Sequence, residues 1–287
     1  MKPSKILEDW KNRPCVLATM HGKELVLAPV LTAGLGISTS VPENFDTDRF
    51  GAFTREVARM GNQLEAARNK AYAAMEHTGM DLAVASEGSF GSHPSMPFVS
   101  SNLEIVLLLD KKHGIEVVGH YRASGVRVHA QAVATPEEAV RVAQSWGFPE
   151  QGVIVRRSAK STRHLYKDIR TVDELRQVCA GLLTGWFGKS IFMETDMRAH
   201  RCPARMDSIK AATDELVKNC LCLCPQCQIP GFVVTEVIPG LPCSDCGLPT
   251  ERATKLVYTC QSCHYSERKA IDGPATADPG QCEYCNP

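Results

Sequence analysis

Residues 54–91 read TREVARMGNQLEAARNKAYAAMEHTGMDLAVASEGSFG, and the change of period inside this stretch decides the fold class. From about Thr54 to Thr78, Leu64, Ala67, Ala71, Ala74 and Met75 recur at three- and four-residue spacing, which predicts one long amphipathic helix. Gly79 is placed to stop it. Asp81 to Ala85 is then a strand-length apolar run, leading into the small polar residues Ser86-Glu87-Gly88-Ser89-Phe90-Gly91, read as a turn. A helix feeding a strand in this way is the unit of an α/β domain.

The pattern repeats outward. Residues 14–20 form a short apolar strand that ends at the polar turn His21-Gly22-Lys23-Glu24, and residues 42–52 read as a loop. Glu104–Leu109 and Ile115–Ser124 predict consecutive strands. Thr135, Pro136 and Glu138 give a helix start with an N-cap, a first-turn proline and an acid three residues on, and the helix reaches Trp146. Gly152–Arg156 and Ser190–Glu194 predict strands; Val172–Leu183 and Met206–Val217 predict helices. The expectation is an α/β domain over 1–217, followed by a cysteine-rich module over 218–287.

Lys plus Arg and Asp plus Glu both number 32 in 287 residues, so overall charge gives no reason to expect a nucleic acid or membrane partner. The start lacks a secretory pattern and no apolar run approaches the ~18 residues of a membrane span, which leads to the expectation of a cytoplasmic protein.

Ten of the 13 cysteines fall in the last 68 residues. Eight form four Cys-x-x-Cys knuckles: Cys224/Cys227, Cys243/Cys246, Cys260/Cys263 and Cys282/Cys285. Two intervening residues let both sulfurs reach one ion, and two knuckles complete a four-thiolate shell. The expectation is two structural zinc ions in a double zinc ribbon, with short hairpins at Gly231–Val237 and Lys255–Thr259. An iron–sulfur cluster is the lesser alternative. The spacings favour pairing the first knuckle with the second and the third with the fourth, with a nested arrangement as the alternative. Cys220 and Cys222 read as spare, and Cys179 and Cys202 as packing residues.

Two resemblances follow from particular motifs. Ala18-Thr19-x-His21-x-Lys23-Glu24, Ser86 to Gly91, Glu194-Thr195-Asp196-Met197-Arg198-Ala199-His200 and the cysteine tail together resemble a family of uncharacterised bacterial proteins defined only as a domain of unknown function. Glu65-x-Ala67-x-x-Lys70-Ala71, Thr78-Gly79 and Gly88 are similar to a stretch in the inosine/xanthosine triphosphate pyrophosphatases. That resemblance covers roughly residues 14–110, and weakly 194–217. It implies their mixed-sheet fold and Mg²⁺-dependent hydrolysis of a phosphoanhydride in a nucleotide-like substrate. Thr19, His21 and Lys23 match a shortened phosphate loop. Glu65 and Glu87 would hold Mg²⁺, with His21 as a further catalytic candidate, and Arg198, His200 and Arg201 would bind the distal part of the substrate. The sequence departs from that family at Ser86, where an acid is expected, and at His21, where the loop has Asn.

Each candidate also has a plainer reading. Lys23 suits a solvated turn lysine, Glu65 an exposed helix glutamate, and Asp46 and Asp48 ordinary loop residues. The run Glu194 to Arg205 equally suits a salt-bridged loop. The competing functional expectation is a non-catalytic nucleotide sensor or a docking protein whose ribbons hold a protein partner. The tail has only Arg252, Lys255, Arg268 and Lys269 as cations beyond residue 218, so nucleic acid is not expected there.

Overall fold

A computed structural model describes residues 4–45, 62–161, 164–184 and 190–287. Its first sheet has five strands, β1 (Pro14–Ala18), β2 (Ser38–Ser40), β3 (Leu82–His93), β4 (Met96–Asp110) and β5 (Ile115–Ser124), in the order β2-β1-β3-β4-β5. β1 runs parallel to β2 and β3, whereas β3, β4 and β5 are antiparallel, so the sheet is mixed.

Because side chains alternate across a strand, each strand feeds two cores. Cys15, Leu17, Leu82, Val84, Val106 and Leu108 pack on one face beneath α2 (Glu24–Leu35) and α6 (Pro203–Leu221), with Trp10 of α1 (Lys5–Trp10) closing the end. Val16, Ala18, Ala83, Ala85 and Leu107 pack on the other face beneath α3 (Gln63–Thr78). Gly119 of β5 lets α6 lie directly on the sheet: a Cβ there would overlap the Ala212 carbonyl and the Leu216 backbone.

A second, wholly antiparallel sheet has its own core. It contains β6 (Ala130–Val133), β7 (Val153–Arg156), β8 (Leu165–Tyr166) and β9 (Ile191–Thr195), in the order β6-β9-β7-β8. Val133, Val153, Val155, Ile191 and Met193 pack against Ala139 and Ala143 of α4 (Pro136–Ser145) and Leu175 and Cys179 of α5 (Val172–Leu183). The expected cap of α4 is made, with the Thr135 hydroxyl accepting from the Glu138 N–H, and Thr171 forms a full capping box with Glu174 at the start of α5. The tail is a three-stranded antiparallel sheet of β10 (Val234–Pro239), β11 (Ala253–Thr259) and β12 (Ser266–Ala270). Among the described residues, no helix is long and apolar enough to cross a membrane.

Two sequence expectations need correction, and one helix was not foreseen. Residues 86–91 are not a turn: they lie inside β3, with Ser86 opposite Val106 and Gly91 opposite Ser101. Residues after the 21–24 turn form α2, which the sequence hides because it is apolar nearly throughout and contains Pro29, so no polar face marks its period. The long helix is described from Gln63 with Asn62 as its N-cap; residues 46–61, including Asp46 and Asp48, lie outside the described residues.

Candidate functional site

The eight knuckle cysteines gather as Cys224, Cys227, Cys260 and Cys263, and as Cys243, Cys246, Cys282 and Cys285. The pairing is therefore interleaved, first knuckle with third and second with fourth, neither sequential nor nested. The sheet explains this. β10 and β11 carry the chain out and back between knuckles, so each strand ends beside a knuckle one removed in sequence.

Facing sulfurs lie 3.6 Å (Cys224–Cys263), 3.5 Å (Cys227–Cys260), 3.8 Å (Cys243–Cys285) and 3.6 Å (Cys246–Cys282) apart. A disulfide needs about 2.0 Å. Four thiolates placed ~2.3 Å from a tetrahedral zinc would be about 3.8 Å apart, so both groups can hold a metal ion such as zinc. The backbone is shaped to match. In the first three knuckles the first cysteine's N–H bonds the carbonyl five residues on, and its own carbonyl accepts from the fourth residue. That fourth residue, Gln228, Gly247 or His264, is left-handed in each case. Burial raises the Cys260 thiol, but hydrogen bonds from the Cys263 and Ser262 N–H groups and from the Cys227 and Cys263 thiols together bring it down to about 7. Cys220 stays outside as a buried core residue, and burial pushes Cys179 up to about 12.

The first metal group is fastened to the α/β body. The Ser4 hydroxyl donates to the Gln228 carbonyl at 2.9 Å, and the Glu116 N–H donates to Gln261 at 3.0 Å.

At the end of β1 a second constellation forms. His21 and Gly22 both take left-handed conformations, turning the chain sharply into α2, and Lys23 stands at its N-cap. The Lys23 side chain is buried, and its ammonium donates to the Ser86 hydroxyl at 3.0 Å. Among the described residues it makes no ion pair. Burial, with the Arg205 and Lys70 charges, lowers its pKa to about 7, against the pull of Glu104 and Glu87.

Around it stand two buried ion pairs. Lys70 of α3 meets the Glu87 carboxylate at 2.5 Å. The Arg205 Nε, in the first turn of α6, donates to Glu104 at 2.7 Å, and Asn102 donates to the same oxygen at 3.0 Å. Strand alternation puts Glu87 on the face covered by α3, where Lys70 meets it, and Ser86 and Glu104 on the α6 face. Gly88 is what allows Glu104 and Arg205 to lie against β3, since a Cβ there would overlap both.

The distal segment arrives as well. His200 stacks on His21 with ring centroids 5.0 Å apart, and its Nε2 lies 3.2 Å from Asp168. Arg198 is already clamped between Asp196 and Asp168, at 2.6 and 2.9 Å, and buried Arg201 donates to the Ile169 carbonyl. Thr19 is buried, and its hydroxyl bonds the neighbouring Met20 carbonyl. The structure thus brings His21, Lys23, Glu87 and His200 into one region. Glu65 is exposed and closes a capping box, accepting from the Asn62 N–H at 2.9 Å. Glu87 is partnered by Lys70, a residue of the quoted motif given no role there. Glu104, Arg205 and Ser86 also join the site; Arg205 stood in the Glu194–Arg205 cluster of candidates, but only the fold reveals its meeting with Glu104, 101 residues away.

A lysine deprotonating near neutrality within the fold makes stability depend on pH. Between about pH 7 and the unfolded value of 10.5 the unfolded chain holds one more proton, so this residue's destabilising effect is full below pH 7 and fades as pH rises. Lys23→Met is expected to raise the denaturation midpoint at pH 6 and to do so less at pH 9; chemical denaturation at both pH values checks this.

Comparisons with known proteins give three findings. The profile of a family described as a domain of unknown function (DUF6671) matches residues 70–287. A solved structure, protein VC0702 from Vibrio cholerae, is similar over 72% of this chain and 93% of its own, at 11% identity and a TM-score of 0.33. No curated protein matches the chain.

Proposed function

The chain belongs to the DUF6671 family, and from that premise we propose that the β1–α2 turn binds the phosphates of a nucleotide-like substrate and that the site hydrolyses its phosphoanhydride. One observation carries the reading: Lys23 is a buried cation with no ion pair among the described residues, while both neighbouring carboxylates already have cationic partners. Below about pH 7, where Lys23 is protonated, Lys23, Lys70 and Arg205 against Glu87 and Glu104 leave one positive charge in excess among these described residues, and an anion would neutralise it. The position suits a phosphate. A parallel strand ends there, two left-handed residues turn the chain, and no side chain caps the N-terminus of α2, whose dipole favours negative charge.

The resemblance to inosine/xanthosine triphosphate pyrophosphatases supports the same place. Of the two acids it implies for Mg²⁺, Glu87 alone is buried and close enough to Lys23 to act on its charge; Glu65 serves as a cap and is left out of the proposed site. A Mg²⁺ accompanying the phosphates would neutralise charge and orient water, with Glu87 as its protein ligand. His21 and His200 stack on one another beside the turn. The two cysteine groups hold structural zinc, because four thiolates leave no open coordination position.

The test is release of pyrophosphate or phosphate from inosine and xanthosine triphosphates, with and without Mg²⁺. Wild type should turn over at least one of them in the presence of Mg²⁺. Lys23→Met should lose this activity, and Glu65→Gln should retain it within about twofold. Absence of turnover, with nucleotide still bound, would favour a sensor over an enzyme.

A further inference from the structure

The β3–β4 hairpin outruns its sheet. β1 pairs with β3 only as far as Ala85, and β5 pairs with β4 only from Ser101 inward. Among the described residues, 91–100 therefore stand out as a two-stranded arm with no strand on either edge. Near its tip the ladder breaks register: Ser92 faces Ser100 but His93 faces Met96, which leaves Pro97, Phe98 and Val99 in a bulge. A bulge re-aims the side chains it carries. Here Phe98 is 102% exposed and Met96 46%. The arm is stiff all the same. Pro94 and Pro97 each fix a backbone angle, and the Ser95 N–H donates to the His93 ring. At the base, the Ser100 carbonyl accepts from the Gly125 N–H and its hydroxyl donates to the Val126 carbonyl. An aromatic ring held out in water on a stiff support gains from burial and loses little freedom on being covered.

Charge decides the occupant. Residues 88–103 contain no Asp, Glu, Lys or Arg, in a chain that is 22% charged, and His93 is their only titratable side chain. In a two-fold interface a group near the axis meets its own copy, so a charged patch repels itself and an uncharged one does not. An anionic membrane would call for cations around the apolar tip, and a charged protein partner for charges of the opposite sign; the arm offers neither. We infer that two copies of this chain associate through their β3–β4 arms, with Phe98 and Met96 of each packed against those of the other. The arm is shorter than the roughly 20–30 residues a side of a standard interface, so the pair is weak, with a Kd on the order of tens of micromolar. The association goes beyond the phosphate-site reading and does not rest on it.

Sedimentation velocity of the full zinc-loaded chain at pH 8, from about 2 to about 200 µM, tests the association. The mass of wild type should rise with concentration from one chain of 31.4 kDa towards two. Phe98→Asp with Met96→Asp should weaken association at least tenfold and leave the chain largely monomeric at the highest concentration. Its melting temperature at about 2 µM, where wild type is also monomeric, should match wild type, because both side chains are exposed. Phe98→Leu, which keeps an apolar tip, should still associate, within about fivefold of wild type. Lys23→Met should leave association within about twofold, so that a failed phosphate site and a failed arm contact give different results. A wild type that stays monomeric at about 200 µM, or a dimer that the double substitution leaves intact, would overturn the inference. So would a monomer that binds phosphatidylserine vesicles through the same two side chains.

Discussion

A chain carrying Cys282→Ser and Cys285→Ser is expected to keep one zinc ion, held by Cys224, Cys227, Cys260 and Cys263. Interleaving makes this outcome diagnostic. With sequential pairing the same change would strip Cys260 and Cys263 of metal, whereas the structure leaves Cys243 and Cys246 without their partners. Alkylation followed by peptide mapping should therefore label Cys243 and Cys246 and spare the other four. The reciprocal change, Cys260→Ser with Cys263→Ser, should do greater damage. Structural zinc contributes about 10–16 kcal/mol of apparent folding free energy in small modules, and the first metal group is also bonded to the α/β body through Ser4–Gln228 and Glu116–Gln261. Losing it should loosen the N-terminal segment together with the tail, seen as faster amide exchange at α1 and β5. Losing the second group should leave α1 and β5 protected.

The second large effect is expected from Glu104→Ala. Glu104 and Arg205 are both buried, and removing the acid leaves a guanidinium in the interior without its counter-charge. Breaking such a pair costs about 3–5 kcal/mol. In a chain of this size that lowers the melting temperature by roughly 10 °C. Gly88→Ala should move stability in the same direction by a different route, because its methyl group would press Glu104 and Arg205 apart. Glu65→Ala, by contrast, removes only half of an exposed capping box and should cost about 1 kcal/mol. Thermal melts of the three variants together check the ordering; Glu65→Ala equalling Glu104→Ala would contradict it.

Local signals were legible in the sequence. Thr135, Pro136 and Glu138 announced α4, Val172–Leu183 read as a helix, and the knuckle spacing identified all eight cysteines that gather. Their pairing was not legible, because spacing states which cysteines are close in sequence and a β-sheet decides which are close in space. The Ser86–Gly91 run read as a turn from its small polar residues, yet β4 supplies a complete ladder that holds it extended. Lys70 stood in the pyrophosphatase-like motif without a role of its own. Its partner lies on β3, and only the packing of α3 on the sheet turns that position inward. The same holds for Glu104 and Arg205, whose meeting depends on β4 and α6 crossing at Gly88. Lys23 was legible as a candidate through its turn, although its burial beneath the start of α2 was not.

The most direct measurement of the phosphate-site proposal is calorimetric titration of pyrophosphate into wild type and Lys23→Met at pH 6.5, in the presence of Mg²⁺. Wild type should bind one pyrophosphate per chain and take up protons on binding, as Lys23 becomes fully charged beside the anion. Lys23→Met should bind at least tenfold more weakly, with the proton uptake gone. Equal affinity and equal proton uptake in the two proteins would contradict a phosphate site at the β1–α2 turn.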